Sequence, residues 1–347
     1  MSKVDLLIVG QGIAGTVLAY QAIQRGYRVK VINKALPGRA TQVAGGLFNP
    51  VTGRRIKKSW NYDLFFPDMI KTYQGIEKLL RIKVLHLLPI YRLLSTAEDV
   101  NNWEIQRLEE EYKPYMQSMS QISDVRIKKH AGVGVLNQGG WLDTSKLLKE
   151  FQAFLIDKEA YLEDIFNYQS LEDNRYREIQ FDKIAFCEGF RISENPFFQD
   201  IHLWPTKGET LIIEMPGEDL NYILTKHIAL IPLGDGKYKV GATLEREIDF
   251  DPSEKGCLDL KEKLDSMLQS PYRVINQDAG IRPNVRDRRP LLGCSKQMAN
   301  WYIFNGLGSK GVLLAPYFAT ELLDCMWNKK ELTTEVNWQR IYKKLRT

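Results

Sequence analysis

Three glycines within six residues, Gly10-Gln11-Gly12-Ile13-Ala14-Gly15, constrain this chain more than any other feature. They follow a short apolar run, residues 6–9, that reads as a buried strand, and they open a helical stretch over residues 12–25. Residues 28–33 then alternate into a second strand. In such a β-α-β unit Gly10 makes the tight turn, Gly12 lets a diphosphate approach the backbone, and Gly15 permits close helix–strand packing. The helix start adds unpaired N–H groups and a partial positive charge. Gly10, Gly12, Ile13, Ala14 and Gly15 are therefore expected to bind the diphosphate of a dinucleotide.

The second strand ends at Asn33-Lys34, where Asp or Glu is usual for a ribose diol. An Asn oxygen can accept a ribose hydroxyl without the charge, and Asn33-Lys34 equally suits the 2′-phosphate of NADP. The first forty or so residues leave both readings open.

A chain of 347 residues suggests two joined domains, and 44% apolar with 26% charged residues is ordinary for a globular protein. No apolar run approaches the ~20 residues of a membrane span. The N-terminus carries no leader-like stretch, so a cytoplasmic location and no membrane partner are expected. Cys187, Cys257, Cys294 and Cys325 are scattered without a CxxC pair, as in a reducing compartment. His86, His130, His202 and His227 share no ligand spacing, so no metal is expected. The net charge of +5 is partly clustered, at Arg54-Arg55-Ile56-Lys57-Lys58, at Arg286 to Arg289, and at Lys343-Lys344-Leu345-Arg346. Such clusters are either solvated surface or meet an anion.

Toward the C-terminus, a strand at residues 301–304 runs into Gly306-Leu307-Gly308-Ser309-Lys310-Gly311, and a helical stretch over residues 312–327 follows. Strand, glycine loop and helix thus occur at both ends. One nucleotide-binding domain assembled from distant segments explains this, with a strand-rich antiparallel region around residues 210–249 inserted between them. Helical spacing also marks residues 70–80, 100–112, 147–155 and 258–268.

An ordered series of motifs narrows the reading. Ala44-Gly45-Gly46-Leu47, Gly139-Gly140-Trp141-Leu142-Asp143, Pro205-Thr206-Lys207-Gly208-Glu209 and Gly241-Ala242-Thr243 come first. Gly280-Ile281-Arg282-Pro283, Asp287-Arg288-Arg289-Pro290 and the Gly306–Gly311 loop follow. The series resembles the D-amino-acid oxidase-like FAD superfamily, which includes glycine and sarcosine oxidases, over nearly the whole chain. Its last loop, with Gln138-Gly139-Gly140-Trp141, is most similar to the oxidoreductase half of a bifunctional enzyme that modifies the tRNA wobble uridine. The resemblance implies an α/β chain (α+β overall): a Rossmann-type FAD-binding domain over residues 1–85, 143–205 and 278–347, with an inserted antiparallel-sheet substrate domain over residues 86–142 and 206–277.

It also implies a reaction, in which an amine C–N bond gives hydride to flavin N5 and leaves negative charge on N1 and the C2 carbonyl. Backbone N–H groups from Gly308 through Ser309 to Gly311, together with the charge of Lys310, are expected to stabilise that anion. Gly306 turns the chain into this loop. Arg282, in the G-x-R-P motif, is expected to hold a substrate carboxylate bidentately, its alternative being a structural pair with Asp278 or Asp287. Ala44, Gly45, Gly46 and Leu47 are expected beneath the flavin, Arg39 and Thr41 at the diphosphate, and Cys187, Glu188 and Gly189 along the ribose and diphosphate. Ala229 stands where glycine oxidases carry a tyrosine, which argues against glycine itself. No cysteine lies between Arg282 and Gly293, so FAD is expected to be non-covalent. A small amine is the expected substrate. A stand-alone oxidase for a carboxymethylaminomethyl group on tRNA, with Arg54, Arg55, Lys57 and Lys58 on phosphates, is the alternative.

Overall fold

In a computed structural model, residues 2–53 and 56–341 are described. The first strand is longer than its apolar core, Ser2–Val9, and the helix after the glycine turn is Ile13–Gln24. Val29–Asn33 lies parallel to Ser2–Val9 on one side, and Ile179–Phe186 lies parallel to it on the other. Tyr161–Glu163 extends this sheet beyond Val29–Asn33, and Trp301–Asn305 extends it beyond Ile179–Phe186. Segments near both ends of the chain therefore meet in one sheet, parallel across these five strands and antiparallel where Arg175–Tyr176 and Leu291–Cys294 join it. Helices Ile13–Gln24 and Gly311–Asn328 pack together over it, and their buried faces share Val17, Leu18, Ala315 and Leu322.

A second sheet holds seven strands in the order Arg273–Arg282, Thr206–Glu214, Lys237–Gly241, Ala229–Gly234, Ile223–Thr225, Ile90–Leu94 and Gly132–Leu136. It is not purely antiparallel as expected, because Ile223–Thr225 runs parallel to Ile90–Leu94. Those two strands come from separate stretches of chain, so no hairpin constrains their relative direction.

Pleating splits this sheet into two buried faces. Leu211, Ile213, Tyr238 and Val240 face the helix Glu254–Asp265, with Leu260 and Leu264. Thr210, Lys239 and Gly280 face the other way, onto the segment that follows the first β-α-β unit. There Thr210 Oγ1 donates to the Val43 carbonyl at 3.4 Å, and an added Cβ on Gly280 would lie 3.2 Å from Ala40 Cα. Leu47–Phe48, Gly140–Leu142 and Leu85–Leu87 form a small third sheet at this junction. Among the described residues, no helix is long and apolar enough to cross a membrane.

Candidate active site

The carboxyl ends of the parallel strands open into a cleft of about 240 Å³, where a doubly wound sheet binds its ligands. Gly10, Gly12, Ile13 and Ala14 form one wall; Asn33, Lys34, Arg39 and Thr41 form a second. Cys187, Glu188 and Gly189 form a third, and Gly308 closes one end.

The glycines are required by distance. Gly10 has φ +98°, and an added Cβ would lie 2.5 Å from the Cys187 carbonyl oxygen. Gly15 lies behind the cleft wall, where an added Cβ would sit 1.9 Å from the Gly10 carbonyl oxygen. At Gly12, by contrast, an added Cβ meets only Thr41 Oγ1, at 3.4 Å. That oxygen accepts from the Ile13 N–H at 3.1 Å and so caps the helix that Gly12 cannot cap. Asn33 braces the turn: its Oδ1 accepts from the Gln11 N–H at 3.0 Å, while its Nδ2 donates to Tyr161 at 3.1 Å. One lone-pair direction of the Asn33 oxygen is thus already used within the protein.

Glu188 is the one carboxylate among the expected contacts. Tyr168 donates to its Oε1 at 2.6 Å and Asn195 donates to its Oε2 at 2.8 Å. Burial outweighs both hydrogen bonds and pushes its pKa up to about 7. Burial also raises the neighbouring Cys187 thiol, so that cysteine is an un-ionised packing group.

Other expected residues lie outside this cleft. Ala44 and Gly45 border a second cavity of about 290 Å³ with Lys239, Asp143 and Asp278. Gly46, at φ +65°, is buried where an added Cβ would come within 1.9 Å of the Leu142 carbonyl, and Leu47 pairs with Trp141. Gly306 and Gly308 take φ +70° and +54° before the single 3-10 turn Gly308–Lys310, with Ser309 exposed. The two glycine loops touch, since an added Cβ on Gly311 would lie 2.8 Å from Ile13 Cγ2. Lys310 Nζ donates to Ser59 Oγ at 2.9 Å. Burial, and then the nearby Arg288 and Arg289, push its pKa down to about 8.

Arg282 lies on the face of the second sheet that carries Thr210 and Gly280. Its Nη1 donates to the Lys207 carbonyl at 3.2 Å and its Nη2 donates to the Thr243 carbonyl at 3.0 Å. The structural pairs considered for it are not formed: Asp287 accepts from Arg340 at 3.0 Å and Asp278 accepts from Asn276 at 2.7 Å. Ala229 shares the row of Gly241 and Thr210, where its small side chain leaves the sheet face flat.

Two basic groups at this junction were not anticipated. Lys239 Nζ donates to the Val43 and Ala44 carbonyls at 3.2 and 3.1 Å, and burial lowers its pKa. Arg92 donates to the Gly53 carbonyl at 2.8 Å and is likewise lowered by burial. Gly53 belongs to a hairpin of Val51–Thr52 with Lys57–Lys58. Arg54, Arg55, Lys343, Lys344 and Arg346 lie outside the described residues. Lys58 is paired with Asp63 at 2.5 Å, whereas Lys57 is exposed.

Residues 5–324 match the family model described as DAO, FAD dependent oxidoreductase. The chain is 24% identical over 387 aligned positions to the tRNA 5-methylaminomethyl-2-thiouridine biosynthesis bifunctional protein MnmC of Shewanella amazonensis. That match covers 93% of this chain and 56% of the relative, so the chain spans about half the relative's length. It is 23% identical to a glycine oxidase of Bacillus licheniformis, with 90% of each covered. In fold it is similar to the crystal structure of glycine oxidase from Geobacillus kaustophilus, with a TM-score of 0.78, 18% identity and 96% of each chain covered.

The first cleft fits FAD, the cofactor of that family. Its wall lies open at Gly12 and also at Gly189, where φ is +59° and an added Cβ meets nothing within 4 Å. The start of helix Ile13–Gln24 adds backbone donors suited to a diphosphate.

Proposed function

The chain belongs to the family of FAD-dependent oxidoreductases, and from that membership we propose that it oxidises the C–N bond of a small amine or amino acid. Bound FAD supplies the two-electron acceptor, and water hydrolyses the resulting imine. Residues Gly10 to Ala14, Asn33, Lys34, Arg39, Thr41 and Cys187 to Gly189 hold the diphosphate and ribose portions. The loop from Gly306 to Gly311 and the segment from Ala44 to Leu47 flank the reacting ring, with Lys310 and backbone N–H groups placing positive potential beside it.

One observation carries the reading of the substrate. The Arg282 guanidinium lies on an inward sheet face, bonded to two carbonyls and to no carboxylate among the described residues. A guanidinium fork so placed suits a substrate carboxylate. No side chain is needed as a base, because a neutral amine can lose hydride directly. The test is anaerobic bleaching of the FAD-loaded protein by a panel of glycine, sarcosine, N-alkyl amino acids and simple amines. Bleaching by a carboxylated amine supports the reading; a panel that leaves the flavin oxidised throughout overturns it.

A second reading has specific support. Trp204 is 55% exposed, with the Arg286 guanidinium 5.8 Å from its ring centroid, which is a surface on which a nucleobase can stack. Together with the similarity to the bifunctional Shewanella protein, this supports an oxidase that removes a carboxymethyl group from a modified tRNA wobble uridine. Binding of tRNA that weakens steeply with salt is then expected, and salt-insensitive or undetectable binding removes this reading.

A further inference from the structure

Two walls of the first cleft come together against one residue from another part of the fold. Phe250 lies on the strap between strand Lys237–Gly241 of the second sheet and helix Glu254–Asp265. It does not line the cleft itself. Its ring centroid is 5.7 Å from that of Phe190, and an added Cβ on Gly38 would lie 2.7 Å from Phe250 Cδ1 and 3.2 Å from Phe190 Cε1. Phe190 and Arg191 line one side of the cleft, while Leu36 and Arg39, on either side of Gly38, line the other. The Arg191 guanidinium rests on both rings, 5.1 Å from the Phe190 centroid and 5.6 Å from that of Phe250. A cation at the cleft wall is therefore held in part by the strap.

The strap has two fixed ends and a free middle. At its start the Thr243 N–H donates to the Glu209 carbonyl at 3.1 Å, and Thr243 Oγ1 accepts from the Glu209 N–H at 2.9 Å. At its end the Ser253 N–H donates to Glu209 Oε2 at 2.9 Å. Both ends are thus fastened to one residue of strand Thr206–Glu214. Between them residues 246–252 are exposed. Among the described residues, two side-chain contacts tie this stretch to the rest of the protein: Asp249 on Lys207 at 2.6 Å, and Phe250 on Gly38, Phe190 and Arg191. An ion pair with one exposed partner restrains weakly, so the ring carries most of the restraint. Phe250 is itself 40% exposed, and it can leave its seat without opening a buried core.

We propose that residues 244–252 form a strap that gates exchange of FAD, with Phe250 as a clasp that must leave Gly38 and Phe190 before the cofactor enters or departs. The argument is steric: with the ring seated, the walls over residues 34–41 and 187–194 are pinned together where Gly38 meets Phe190. The clasp seats on protein groups and does not line the cleft, so unseating it costs the same with or without FAD. Entry and release are then slowed alike, and the equilibrium affinity is left nearly unchanged. A residue that merely supported the bound cofactor would slow release alone.

The test is release of FAD from the loaded full chain on dilution, read as the regain of free-flavin fluorescence, with the FAD dissociation constant measured on the same protein. Phe250→Ala is expected to speed release about tenfold or more, the effect of losing one aromatic pair and its cation–π contact. Rebinding, read as the quench when FAD is returned, should accelerate by the same factor, so that the dissociation constant changes less than about threefold. Phe250→Tyr keeps the ring and should release FAD within about twofold of the wild-type rate. Asp249→Asn loosens the strap at its other tie, should speed release by about twofold to fivefold, and supplies the reading if Phe250→Ala does not hold its fold. A release rate that neither Phe250→Ala nor Asp249→Asn changes overturns the proposal. Faster release matched by an equal loss of affinity also overturns it, because Phe250 is then an ordinary support of the cleft wall. A lower Tm with release and rebinding both unaltered has the same consequence and assigns the ring to folding alone.

Discussion

The phenol of Tyr168 donates a 2.6 Å hydrogen bond to Glu188 Oε1 at the wall of the cleft beside the Gly10–Gly12 turn. Burial nevertheless dominates the carboxyl, raising it from 4.5 to about 7. The folded chain thus keeps a proton there that the unfolded chain has released. Stability contributed by this group is full below the unfolded value of 4.5 and declines as pH rises toward about 7. Glu188→Gln should remove that decline, a gain of up to about 3 kcal/mol at alkaline pH. Thermal unfolding of both proteins across this range checks it; a Tm difference that does not change with pH would refute the assignment.

Gly12 and Gly15 should separate binding from folding. Gly15→Ala drives a methyl to within 1.9 Å of the Gly10 carbonyl, which is backbone and cannot yield cheaply. A loss of roughly 3 kcal/mol or more is expected, with the fold compromised. Gly12→Ala meets only Thr41 Oγ1 at 3.4 Å, so the fold should survive while the diphosphate is kept off the backbone. Circular dichroism with flavin content after purification distinguishes the two, and a Gly12→Ala protein that retains full FAD would be inconsistent with the proposed cleft.

How legible each feature was in the sequence follows from the range of the forces behind it. The Gly10–Gly15 turn is readable because its demands are local: a left-handed turn, a close helix and a bare N-terminus within six residues. The Gly306–Gly311 loop is readable for the same reason. Lys239 was hidden by strand alternation, which groups it with Lys237 on a solvent side, whereas that face is covered by the Val43–Ala44 backbone. Ala44 to Leu47 occupy a junction set partly by pairing with Trp141, almost a hundred residues away. Tyr168 carried no signal either, since its link to Glu188 depends on how two loops fold over the cleft.

The Lys207–Glu209 pair should be costly to break from one side. Glu209 also accepts from the Ser253 N–H at 2.9 Å and from Gln277 at 2.6 Å, anchoring the start of helix Glu254–Asp265. Glu209→Ala leaves Lys207 with Asp249 alone and should cost about 3–5 kcal/mol. The Glu209 pKa is lowered: burial alone would raise it, but hydrogen bonds from Ser253, Lys207 and Gln277 prevail. Its stabilisation is therefore present above 4.5 and lost as pH falls through the lowered value. Denaturant unfolding of wild type and variant at neutral and acid pH measures both effects, and a variant within about 1 kcal/mol of wild type at neutral pH contradicts them.

Gly208 and Arg282 should act as one unit. An added Cβ on Gly208 would lie 2.0 Å from Arg282 Nη2, so Gly208→Ala must displace the guanidinium. Arg282→Ala is expected to weaken carboxylate binding by about 2 kcal/mol or more, and Gly208→Ala to do much of the same. In the double variant the two losses should not add. Acetate titrations of the three proteins by flavin absorbance settle the matter: additive losses mean that Gly208 does not act through Arg282.

Lys310 should set the alkaline limb of the rate profile. Its ammonium faces Ser59, Arg288 and Arg289, and its pKa, lowered to about 8, makes it lose its proton as pH rises through that value. Positive potential beside the flavin should fall in the same window, while deprotonation of the amine substrate makes the reaction rise. Their product is a bell in kcat/KM whose descending side reports the free enzyme. Lys310→Arg stays charged throughout and should leave only the ascending side. Anaerobic stopped-flow flavin reduction from about pH 6 to about pH 10 reads both limbs. A wild-type profile without a descending side, or one that Lys310→Arg leaves unchanged, would place the ionisation elsewhere.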